Sequence, residues 1–242
     1  MYSTRYLRRP MFPFVCNGDA ANEFANNSPP RSTHPLFDLG TGFGIIDKIL
    51  PAEEATELRT IFTDLSRYTL AVDDFVMGRP EALSRRNLAN ERNLTQHNLM
   101  SKCPDFDDPD HELSEAFYTS CWLAAAIYSL LSVFPMAQWN APFAILSQRL
   151  KVQISSTTVQ ERWNEVPLLM LWITIMGAIS SSDFLEHSWY ISVLERLVYR
   201  LEISSWEDVK SELEKFLWYD NISSPDGYMI WKEIENSSPF SA

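Results

Sequence analysis

Apolar positions recur at helical spacing along most of this chain. From Pro51 to Phe75 they fall at Leu58, Ile61, Phe62, Leu65, Thr69 and Val72, a three-and-four rhythm that lays one apolar stripe along a helix. Pro51 suits the first helical turn, where its missing N–H has no intrahelical acceptor to lose. Residues 81–101 (EALSRRNLANERNLTQHNLMS) form a second, more polar helix with Leu83, Leu88, Leu94 and Leu99 available for burial. A long helix is predicted from near Asp110 to Phe134, where Pro135 ends it. Further helices are predicted over Pro142–Gln153, Val166–Ser180 and Phe184–Leu201, the last with Tyr190, Leu194, Leu197, Val198 and Leu201 on one stripe. Ser204 precedes Glu207 by the spacing of a capping box, which starts a helix holding Trp206, Val209, Leu213, Phe216 and Leu217. Asn221–Gly227 reads as a turn, and Ile230, Trp231 and Ile234 as one face of a short last helix.

These elements predict an all-α fold, a single bundle-like domain of about seven to nine helices. Residues 1–35 hold Pro10, Pro13, Pro29, Pro30 and Pro35 among Asn and Ser, and read as a poorly ordered arm. The helical domain is expected over residues 36–236, followed by a polar tail at 237–242.

Composition narrows the function more than the fold. With 20 basic against 32 acidic side chains the net charge is -12, so phosphate backbones are repelled and direct nucleic-acid binding is disfavoured. The clusters Arg5, Arg8, Arg9 and Arg85, Arg86, Arg92 read as solvated surface. Cys16, Cys103 and Cys121 are odd in number and far apart, which encodes neither a disulfide framework nor a zinc pair and fits a reducing compartment. The first residues lack a continuous apolar region, so no signal peptide is expected, and the N-x-S/T sequons then carry no glycan.

Candidate chemistry is sparse. The segment FDLGTGFG, with Gly40, Gly42 and Gly44, is similar to the first glycine-rich loop of adenosylmethionine-dependent methyltransferases. Such a loop works at the edge of a parallel sheet, whereas the pattern after it is helical, so a glycine-rich turn feeding a helix is preferred over a cofactor site. His34, His97, His111 and His187 have no ligand spacing, no serine or cysteine sits in a nucleophile elbow, and Asp105, Asp107, Asp108 and Asp110 lack the glycine and terminal glutamate of a calcium loop. No metal, cofactor or catalytic residue is therefore expected. The charge-free runs through Ala116–Phe134 and Val166–Ser182 raise a two-span membrane alternative, but their serines, short length and unbiased flanks fit buried core helices better. Trp172, Trp206 and Trp231 lie among aliphatic residues and read as core packing ahead of a ligand pocket.

Taken in order, five segments carry a resemblance: GTGFGIIDKILP, RNLTQHNLMS, SEAFYTSCWLAAAIYSLLSVFP, LLMLWITIMGAISS and SSWEDVKSELEKFLWYDNISSPDGYMIWKEIE. The chain resembles the helical regulatory domain of fungal zinc-cluster transcription factors. That resemblance implies an all-helical fold and a role in transcriptional regulation, in the nucleus or else the cytoplasm, with input from a small-molecule effector or from contacts with proteins of the transcription machinery or a related regulator; it implies no catalytic residue. Members of the usual kind add a six-cysteine, two-zinc cluster that reads DNA, and this chain lacks it. Two readings stay open: a stand-alone copy that titrates partners of longer regulators, and a piece of such a regulator.

Overall fold

The computed structural model describes residues 34–106, 113–133, 140–156 and 160–237, and every regular element among them is helical. A 3₁₀-helix over Thr41–Lys48 leads into α1 (Ala52–Val76), α2 (Arg85–Ser101) and α3 (Leu113–Tyr128), which continues as one π-helical turn over Ser129–Val133. There follow α4 (Asn140–Ser155), α5 (Gln160–Glu165), α6 (Pro167–Ser180), α7 (His187–Arg200), α8 (Trp206–Leu213) and α9 (Asp220–Ser237). The all-α bundle is as expected. The arm over residues 1–33, the tail from 238, and the expected ends of the long third helix at Asp110 and Phe134 lie outside the described residues.

Helix α6 is the axis of the bundle. It packs against α3, α4, α7, α8 and α9, and every residue from Leu169 to Ser180 is buried. A helix enclosed on all sides has no face for charge, which is why VPLLMLWITIMGAISSS carries none. At 14 residues it is about 21 Å long, short of the roughly 30 Å of a bilayer core. The stretch Ala116–Val133 is long and apolar enough to cross a membrane, and 89% of it is buried inside this fold.

Close approach of α7 to α6 depends on Gly177, where a Cβ would stand 2.2 Å from the Tyr190 ring. Tyr190 is fully buried and its hydroxyl donates to the Ser147 carbonyl at 2.7 Å, so one side chain of α7 reaches past α6 to fix α4. Around Trp172 the rings of Phe43, Phe62 and Phe216 collect: Phe43 and Phe62 stack at 3.7 Å, while Trp172 and Phe216 meet Phe43 edge-on. Such edge contacts place positive ring hydrogens on a negative ring face.

Local signals were overridden at several boundaries. Helix α2 starts at Arg85 and not at residue 81, because the Ser84 hydroxyl accepts the Asn87 amide and caps the helix there, which leaves Leu83 outside it. The cap of α8 is Ser205, not Ser204: its hydroxyl accepts the Asp208 N–H at 3.2 Å. That helix ends at Leu213, so the buried Phe216 and Leu217 sit on irregular chain beyond it. Helix α7 starts at His187, after turns at Ser181–Phe184 and Phe184–His187, three residues later than predicted. The turn expected over Asn221–Gly227 is instead the first half of α9. Pro225 lies early in α9, and there it removes one intrahelical bond. Gly227 is a packing site, since a Cβ there would meet the Trp218 and Trp206 rings at 2.6 and 2.7 Å.

Candidate functional site

Three polar constellations and one cleft stand out among the described residues. The glycine segment comes first. Gly40 has a φ of 83°, and its N–H donates to the Phe216 carbonyl at 3.2 Å, while the Gly42 N–H donates to the Lys215 carbonyl at 2.7 Å. A Cβ on Gly42 would sit 2.8 Å from the Phe216 ring. The donors that a cofactor phosphate or carboxylate would require are therefore occupied by backbone from the far end of the fold. A Cβ on Gly44 would meet nothing within 4 Å, and no strand exists among the described residues to make the sheet edge that a methyltransferase loop needs.

The second constellation is a buried ionic clasp at the C-terminal end of α1. Asp73 and Asp74 are 7% and 5% exposed, and Arg79 Nη1 reaches both, at 2.8 and 2.7 Å. His34 Nδ1 accepts the Leu36 N–H at 3.0 Å, so Nε2 carries the proton and donates to Asp74 at 3.2 Å. Arg79 Nη1 donates to the same Asp74 oxygen at 2.7 Å, so two donors share one carboxylate oxygen. The Tyr219 hydroxyl closes the clasp by donating to Asp73 at 3.2 Å. Its polar groups are turned on one another, which is the arrangement of a structural tie.

A third set lies between α1 and α2. Arg67 and Asn98 both donate to Asp64 at 2.9 Å, and the nearby Glu91 is only 3% exposed. Burial pushes the Glu91 carboxyl above its usual range, with Arg67 opposing and Asp64 adding to the rise. Among the other expected candidates, His187 links α7 to α9 through Glu233 at 2.9 Å and His97 sits half-buried on α2. His111, Asp107, Asp108 and Asp110 lie outside the described residues. No group of three or more His, Cys, Asp or Glu suited to a metal occurs among the described residues. Burial pushes the Cys121 thiol far up, which removes it as a thiolate nucleophile.

The cleft, of about 400 Å³, opens between the end of α4, the short α5 and the outer face of α7. Its floor is apolar: Ile154, Met170, Val193 and Leu197 are all buried. Its rim holds Asn164, Trp189, Arg196 and Arg200, and no carboxylate among the described residues lines it. Trp189, Val193, Arg196 and Arg200 share one face of α7 because they recur at three, four and seven residues. Arg200 donates to the Asn164 side chain across the mouth, Lys151 Nζ lies 5.7 Å from the Trp189 ring centroid, and Arg196 has no ion pair or hydrogen bond among the described residues.

Trp163 distinguishes this cleft. Other buried indoles have acceptors: Trp122 donates to Leu99, Trp172 to Leu217, Trp218 to Ser224 and Trp231 to Glu235. Trp163 is 3% exposed and stacked on Phe117 at 4.5 Å, and its Nε1 has no acceptor among the described residues. Sequence reasoning passed over Trp163, Asn164, Arg196 and Arg200. The signal available was two arginines and a tryptophan on the helix face that adjoins the apolar stripe. As expected, Trp172 and Trp231 are buried in the core, and Trp206 packs half-buried against it. Comparison with protein-family models, with curated proteins and with solved structures returns no match.

Proposed function

We propose that this chain is a helical regulatory module related to the regulatory domain of fungal zinc-cluster transcription factors, acting in the nucleus through protein contacts or a bound small molecule. It works without catalysis and without reading DNA itself. The observation that carries this reading is the cleft, whose apolar floor and cationic rim, with no carboxylate among the described residues lining it, give it the chemistry of binding. The net charge of -12 supports the second clause.

The test is a reporter assay in a fungal host, with the full chain fused to an unrelated DNA-binding domain. Reporter output is expected to change when the fusion is present, and a fluorescently tagged chain is expected in the nucleus. An inert fusion would sink the regulatory reading, and tight, sequence-selective binding of duplex DNA by the purified chain at near-physiological salt would sink the clause on DNA. Titration with adenosylmethionine is expected to give no heat of binding; a saturable isotherm would revive the methyltransferase alternative through Gly40 and Gly42.

A further inference from the structure

We infer that the cleft between α4, α5 and α7 is a binding site for a small organic monocarboxylate with an aromatic or branched apolar body. Size comes first: about 400 Å³ is at the small end of the roughly 300–1,000 Å³ of ligand pockets, which suits a metabolite-sized molecule. The floor of Ile154, Met170, Val193 and Leu197 rewards an apolar body by removing it from water. The rim sets the charge. Arg196 and Arg200 stand one helical turn apart, and in a chain of net charge -12 they line a cavity that no carboxylate among the described residues enters.

Guanidinium groups recognise a carboxylate through paired, charge-assisted hydrogen bonds. Arg200 is already steadied by Asn164, which leaves Arg196, without a partner among the described residues, as the group to fork onto the ligand. Trp163 lines the same cleft and is 3% exposed, so its indole resonance reports on an occupant. Inorganic anions lack the apolar body that the floor requires, and neutral amides lack the charge that the rim requires.

Occupancy of this cleft deepens the small-molecule half of the regulatory reading, and the two fail separately: an inert reporter leaves binding intact, and absent binding leaves regulation through protein contacts intact. The experiment titrates the full chain with phenylacetate, indole-3-acetate and 4-methylpentanoate, with the matching neutral amides and with inorganic phosphate, following the indole N–H resonances and the heat of binding. Trp163→Phe assigns the Trp163 resonance. At least one carboxylate is expected to bind saturably and move that resonance, with its amide and phosphate about tenfold weaker or more.

Arg196→Gln, an exposed change that leaves the core untouched, is expected to weaken the carboxylate about tenfold, while Arg59→Gln, remote at the Asp47 pair, leaves affinity unchanged. The assignment is overturned if no carboxylate moves the Trp163 resonance at millimolar concentration, if the amide or phosphate binds as tightly, or if Arg196→Gln binds as the parent does.

Discussion

Glu202 is the one non-glycine among the described residues with positive φ, at 56°. It follows α7 in a helix-ending turn, where the Ile203 N–H returns to the Val198 carbonyl and the Glu202 N–H to that of Tyr199. Helix α1 ends the same way at Gly78, with a φ of 64°, where the left-handed backbone meets no Cβ penalty. Glu202→Gly is therefore expected to stabilise the fold by about 0.5–1 kcal/mol, read as a higher urea midpoint at unchanged slope. Glu91 gives a pH-dependent counterpart. Its raised pKa means that protonation favours the folded chain, so this stability is complete below the ordinary carboxylate range and is lost as pH rises through the raised value. Glu91→Gln is expected to be more stable than the parent near pH 7 and equal to it near pH 4, and denaturant titrations at both pH values check this. Neither residue is conspicuous in the sequence: an isolated glutamate carries no local mark of its backbone angle or of the helix that will cover it.

Element existence was legible where the apolar rhythm was long, as in α1, α6 and α7. Boundaries were not. Ser204 and Ser205 both stand near the start of α8, and which one caps it depends on the direction from which the chain leaves α7 after Glu202. Residues 221–227 carry Asn, Ser, Pro and Gly, all local arguments for a turn, yet the stretch is helical because Trp206 and Trp218 pack into the space that Gly227 leaves open. Tertiary packing outweighs propensity there. The same logic gives a test at the α6–α7 crossing. Alanine at position 177 gains up to about 1 kcal/mol of helix propensity, but its methyl would meet a Tyr190 ring that is tethered to Ser147. Overpacking wins, and Gly177→Ala is expected to lose about 1–3 kcal/mol net, visible as a lower Tm.

At the scale of the whole molecule, distant segments are held together by polar ties that periodicity does not reveal. The clasp joins the start of the described chain at His34, the end of α1 at Asp73 and Asp74, and Tyr219 ahead of α9. Arg79→Met leaves two buried carboxylates without their cation; as Arg79 is itself 24% exposed, the expected loss is roughly 2–4 kcal/mol, below that of a fully buried pair, and urea unfolding measures it. The cleft was illegible for a related reason: Trp163 on α5 and Arg196 on α7 become neighbours only once α6 is in place between them in the chain.

The glycine segment carries one more consequence. Gly40 and Gly42 donate to carbonyls at residues 216 and 215, so on the ribosome the early loop waits for nearly the whole domain before its acceptors exist. At about 5–20 residues per second that interval is roughly ten to thirty-five seconds, during which Phe43 lacks its contact with Phe216. A nascent chain of this kind is a natural client for chaperones that shield apolar surface during synthesis.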